Sequence, residues 1–176
     1  VFPASEVVIN CCGVKELSTC LLTDSLDIVV TLKNSVKMYS EFECTDTAEI
    51  RKILLYSVAH PLASKPAEEL TLRDFSNDLF IAPWEIVEKM MVDTIAGYTR
   101  PYGFLPKLRF VRNRESTITC VRNNLGVTIA DDWAWAKNSE DLLWIPFNAS
   151  DTISVARLKS KENDHILAME KVLIEK

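Results

Sequence analysis

Ile53-Leu54-Leu55-Tyr56-Ser57-Val58 runs into His60-Pro61-Leu62-Ala63, and the amphipathic phrase Leu70-Thr71-Leu72-Arg73-Asp74-Phe75 follows. A short, continuous apolar run reads as a buried strand. Pro61 marks a turn, because its ring fixes φ and it has no N–H to extend a ladder. A second apolar run, Leu79-Phe80-Ile81-Ala82, comes next. Strand, proline-marked turn, short helix and second strand describe a chain crossing from one substructure to another, not an active site.

Outward from this stretch, apolar runs alternate with helical spacings. Val7-Val8-Ile9 predicts a strand ending at Gly13, and Val14, Leu17 and Leu21 recur at helical spacing with Asp24 and Ser25 after them. Leu26 to Thr31 is rich in β-branched residues and predicts a buried parallel strand. The polar stretch Leu32 to Thr47 precedes a strand over Ile50 to Val58. Pro83-Trp84 leads into a helix from about Glu85 to Gly97, with Val87, Met90, Met91 and Ile95 as one apolar stripe. Leu108 to Val111 predicts a strand, Ser116 caps a helix that Gly126 stops, and Val127 to Ala130 is again a strand. Trp133 to Trp144 predicts a further short helix and connection, Ile153 and Val155 a strand, and Asn163 to Glu175 a terminal helix with Ile166, Met169 and Leu173 inward. Helices alternating with buried strands give an α/β architecture.

The order and spacing of Leu26-Asp27-Ile28-Val29-Val30, the His60-Pro61-Leu62-Ala63 phrase and Val121 to Ile129 resemble the effector-binding domain of a LysR-type transcriptional regulator, over roughly Phe2 to Glu170. The resemblance implies an α/β, two-lobed type II periplasmic-binding-protein-like domain with two hinge crossings, near Val58 to His60 and at Ile145-Pro146. Lobe one then takes residues 1–58 and 146–176, and lobe two residues 59–145. It also implies a small-molecule effector held between the lobes, an organic anion among the options, and transcription control through an N-terminal helix-turn-helix that this chain lacks. Such domains usually begin with a strand and helix ahead of the phrase that Phe2-Pro3 resembles, so one wall of the pocket is expected to lie outside this chain.

Composition narrows the function classes. The 176 residues are 48% hydrophobic and 26% charged, with a net charge of −5, which opposes direct binding to a nucleic-acid duplex. Cys11, Cys12, Cys20, Cys44 and Cys120 are odd in number and form no CxxC pair, poor arithmetic for a disulfide framework or a zinc site. They point to a reducing cytoplasm, and Asn148-Ala149-Ser150 is then an accidental sequon. No apolar run approaches the ~18 residues of a membrane span. No membrane contact and no cofactor are expected. Redox sensing is set aside, because no cysteine lies between Cys44 and Cys120, where the peroxide-sensing branch of the family carries its thiols.

Two histidines far apart, with no G-x-S-x-G and no Gly-rich phosphate loop, offer no nucleophile and base. His60 reads as a turn residue and His165 as a solvated one. Asp131-Asp132 reads as the acidic start of a helix rather than as an acid–base pair. The productive positions are strand ends, where ligands of open α/β folds sit. These are Thr31, then Pro83, Trp84 and Glu85, then Asn113 and Arg114. All six match where LysR-type domains place effector contacts. Trp84 would form an apolar wall, and Arg114 or Arg112 would meet a carboxylate. The resemblance further implies a homodimer, with a tetramer as the larger option in the full-length protein. It would pack the helix Val14 to Thr23 against Ser116 to Asn124, with Leu22 or Thr117 in the contact. An extracytoplasmic solute-binding protein of the same fold is the alternative, and a dehydratase or deaminase a third reading.

Overall fold

The computed structural model describes residues 6–84 and 88–174. The chain divides into two compact units, Val1–Glu49 with Asp151–Lys176, and Ile50–Ser150. The passages between units fall inside two long strands, β2 (Phe42–Ser57) and β6 (Leu142–Leu158), not at the turns after them. They therefore lie at Glu49/Ile50 and Ser150/Asp151, where the sequence expectation had Val58 and Pro146. Both strands run through their passage without a break, so no turn residue marks it.

In the first unit, α1 (Val14–Leu22) starts where the Glu16 carboxylate accepts from the Gly13 N–H at 3.2 Å. It ends at Thr23, with Asp24 at φ +66°. Leu17 and Leu21, one helical turn apart, face the core with Val29, Val36, Phe42 and Ala156. β1 (Ile28–Leu32) leads into the single turn α2 (Lys33–Val36), and Ser18 on α1 donates to the Ser35 carbonyl. β1 is an edge strand antiparallel to β6, with Thr31 opposite Ser154. The expected parallel pairing is overturned, and Val30 on its outer face is half-exposed. Val7, Val8 and Ile9 form no strand and are strongly exposed. Three β-branched residues do not make a strand without a neighbour to complete their hydrogen bonds. α5 (Asp164–Ile174), capped by Asn163, docks through a buried pair: Arg157 Nε donates to Glu170 at 2.9 Å, and Thr45 donates to the other carboxylate oxygen at 3.0 Å.

In the second unit, β3 (Leu79–Pro83) and β4 (Lys107–Val111) pair in parallel, while β5 (Thr128–Asp131) lies antiparallel to β2. β3 also bridges to Val127, with Ile81 N–H donating to the Val127 carbonyl at 2.8 Å and Val127 N–H to Leu79 at 2.9 Å. The core joins Leu54, Tyr56, Leu72, Phe75, Phe80 and Ile95, with Met91 packed against it. Of the apolar stripe expected on the second helix, α3 (Glu88–Thr99), Ile95 is buried, while Val87 and the side chain of Met90 lie outside the described residues. α3 runs past Gly97 to Thr99.

α4 (Arg114–Arg122) begins earlier than expected, because Asn113 and not Ser116 is its cap: the Asn113 side chain accepts from the Ser116 N–H at 2.9 Å. The helix expected over Trp133 to Trp144 reduces to one 3-10 turn, Trp135–Asn138, before β6 begins at Leu142. His60 closes β2 as expected. Its Nδ1 accepts from the Leu62 N–H at 3.1 Å, its Nε2 pairs with Asp78 at 3.1 Å, and its ring packs on Tyr56 and Phe75.

Candidate functional site

The register of β3 on β4 brings the second-unit candidates together. Pro83 lies opposite Val111, and the Trp84 N–H donates to the Val111 carbonyl at 2.7 Å, so both strands end side by side. Trp84 stands edge-on to Phe110, ring centroids 5.6 Å apart, and keeps 55% of its surface exposed. Pro83 is partly exposed and Arg114 exposed; Glu85 lies outside the described residues. Asn113 also has a structural job here. Its side chain is occupied as the α4 cap, and its carbonyl receives the Thr117 N–H and hydroxyl, both at 3.1 Å. At this sheet end, then, lie an indole face and the exposed side chains of Arg112 and Arg114.

In the first unit, Thr31 is 9% exposed and opposite Ser154. Sequence reasoning missed what surrounds it. The Ser154 hydroxyl donates to Asp46 at 2.8 Å, and the Lys33 ammonium pairs with the other Asp46 oxygen. Lys33 holds the Asp46 carboxyl below the usual carboxylate range, with Ser154 adding to the shift. Lys33, Asp46 and Ser154 come from three elements, and no local motif links them.

The other candidate chemistries dissolve into structure. Asp131 pairs with the buried Lys52, while Asp132 pairs with Arg51 at 3.1 Å and with Lys137. These aspartates tie β5 to β2 and to the 3-10 turn; they do not open a helix, as the sequence suggested. Lys137 pulls the Asp132 carboxyl below its ordinary value, the direction opposite to that of a general acid near neutrality. The described cysteines are free thiols, and burial pushes Cys44 and Cys12 up, away from reactive thiolates. No three His, Cys, Asp or Glu side chains among the described residues converge on a metal position. No helix among them is long and apolar enough to cross a membrane.

Solved structures share this arrangement. HinK, a LysR family transcriptional regulator from Pseudomonas aeruginosa, superimposes with a TM-score of 0.79 over 99% of this chain and 62% of its own, at 16% identity. The chain has the fold of a LysR-type effector-binding domain. This is the type II periplasmic-binding-protein-like fold. The effector-binding domain of QuiR in complex with shikimate matches with a TM-score of 0.75 at 15% identity, over 93% of this chain and 78% of that one. The BenM effector-binding domain with benzoate matches at 0.74 and 16%, over 93% and 75%. No family model and no curated sequence matches the chain. Among these LysR-type structures, then, the chain spans three fifths of the regulator and about three quarters of each isolated domain.

Proposed function

We propose that this chain is the ligand-sensing regulatory part of a LysR-type transcriptional regulator, acting in the cytoplasm. It binds a small organic anion and passes the bound state to a helix-turn-helix elsewhere in the full protein. What supports this reading is the placement of Trp84 and Arg114 near the adjoining ends of β3 and β4, on a fold whose solved relatives include complexes with shikimate and benzoate. Ligand binding that favours one arrangement of the two units supplies the signal. Catalysis is disfavoured because Asp131, Asp132 and His60 are each engaged in structural pairs. The same placement argues for a regulator rather than an extracytoplasmic solute-binding protein only together with the unpaired cysteines.

Calorimetric titration with shikimate and benzoate tests the assignment. Trp84→Ala removes the aromatic wall and Thr31→Ala the hydroxyl near the end of β1. Each is expected to weaken binding, the latter by the ~0.5–1.5 kcal/mol of one hydrogen bond, with an unchanged circular dichroism spectrum. Unchanged affinity in both variants sinks the site.

The regulator reading includes a homodimer through α1 and α4, with a tetramer as the larger option in the full protein. Leu22 on α1 is 45% exposed and available for the contact, whereas Thr117 is buried, its hydroxyl held by Asn113, so Thr117 is withdrawn from it. Leu22→Glu is expected to shift the chain to monomer in sedimentation at ~10 μM, a concentration at which a ~1 μM dimer dominates. A wild-type monomer at that concentration overturns the dimer.

A further inference from the structure

An open cavity of about 580 Å³ lies within the second unit, and no residue of β3, β4 or α4 lines it. The volume is in the ~300–1,000 Å³ range of small-molecule sites. Leu142, Trp144 and Pro146 alternate along β6, so they share a face, and all three line the cavity together with the buried Leu70. This stretch of β6 is a sheet edge: β2 flanks it on one side, and β1 pairs with β6 further on, at Ile153 to Arg157. Pro146 has no N–H to offer an incoming strand, and such a proline blunts an edge. The cavity therefore suits a small molecule better than an extended peptide.

Two charges of opposite sign line the same cavity from different elements. Lys137, on the 3-10 turn Trp135–Asn138, holds its ammonium 4.2 Å from the centroid of the Trp144 ring. It also donates to Asp132, a carboxylate that Arg51 shares. Two cations on one carboxylate leave a net positive charge, and an ammonium keeps two further N–H donors when one is taken. Glu68, exposed on the 3-10 turn Ala67–Glu69, supplies the negative charge. We infer that this cavity is a second ligand site, for an α-amino acid with an apolar side chain: Lys137 takes the carboxylate, Glu68 the ammonium, and the side chain lies against Trp144, Leu142 and Leu70. The inference stands apart from the effector reading, since it uses none of the residues at the ends of β3 and β4. A ligand lacking either charge leaves one of the two charged side chains without a partner.

L-Phenylalanine is the probe, with phenylpropionate and phenethylamine as the analogues that lack the ammonium and the carboxylate. The four tryptophans give four indole N–H resonances in an isotope-labelled sample, assigned by replacing each tryptophan in turn with phenylalanine. L-Phenylalanine is expected to shift the Trp144 resonance and leave that of Trp84 in place. Glu68→Gln, a change at an exposed residue, is expected to bind it about threefold more weakly, the scale of an exposed ion pair, and to bind phenylpropionate as wild type does. The Lys137 side chain is 22% exposed, so Lys137→Gln is expected to bind phenylalanine about tenfold more weakly and phenethylamine as before. No shift at Trp144 with about 10 mM phenylalanine, where a ligand of ~1 mM dissociation constant is about nine-tenths bound, overturns the proposal. So does a shift at Trp84 alone, which assigns phenylalanine to the ends of β3 and β4, and so does phenylpropionate binding wild type as tightly as phenylalanine.

Discussion

Gly126→Ala is expected to cost about 3 kcal/mol or more, a large share of the ~5–15 kcal/mol that holds a domain folded. A Cβ at this position would lie 2.2 Å from the Leu79 carbonyl oxygen, and the backbone sits at φ +154°, which side chains rarely adopt. The carbonyl has nowhere to retreat. It accepts the Val127 N–H at 2.9 Å, and Val127 in turn bridges to β3. Relief would pull β3 away from the segment leading into β5 and displace Phe80, Ile81 and Val127, all buried. Gly97→Ala is the control: its Cβ meets nothing within 4 Å, and it lies inside α3. There alanine is expected to stabilise by up to ~1 kcal/mol, through higher helix propensity. Urea unfolding reads both, and equal midpoints for the two variants would refute the argument.

Glu170→Ala is the second large effect, about 3–5 kcal/mol, because it leaves the buried Arg157 guanidinium without its partner. Arg157 is 8% exposed, and its nearest other carboxylate, Glu162, is 3.8 Å away and well solvated. Thr45 loses its acceptor at the same time. The double variant Arg157→Met with Glu170→Leu should recover most of the loss, since it removes both charges and keeps the volume. Loss of the same size in the double variant would mean that packing of α5, not the pair, is what matters.

Glu170 also shows where sequence reading stops. The terminal helix was legible from Ile166, Met169 and Leu173, but a glutamate on its inner face looks like a solvated residue until Arg157 is placed opposite it. The same limit applies to the strands. Ile53 to Ser57 of β2 was legible because all five residues are buried, whereas Glu43 to Glu49 alternates half-buried and exposed positions and reads as loop. Val7-Val8-Ile9 failed in the opposite sense: composition suited a strand, and the hydrogen-bonding neighbour was missing. The α4 start was placed too late because Ser116 is itself a good cap residue, three positions after the Asn113 that caps the helix. Of the candidate site, the strand ends beside Trp84 and Arg114 were legible, since a strand end can be read locally. The Lys33–Asp46–Ser154 contacts were not, because their three elements meet only in the folded chain.

Native mass spectrometry against a panel of small carboxylates tests the central claim most directly, using wild type, Trp84→Ala and Arg114→Ala, with the ligand recovered afterwards. The effector-sensing account predicts that wild type retains one carboxylate per chain, that both variants retain less, and that the ligand returns chemically unchanged. Retention undiminished in both variants, or a ligand converted to product, would contradict it.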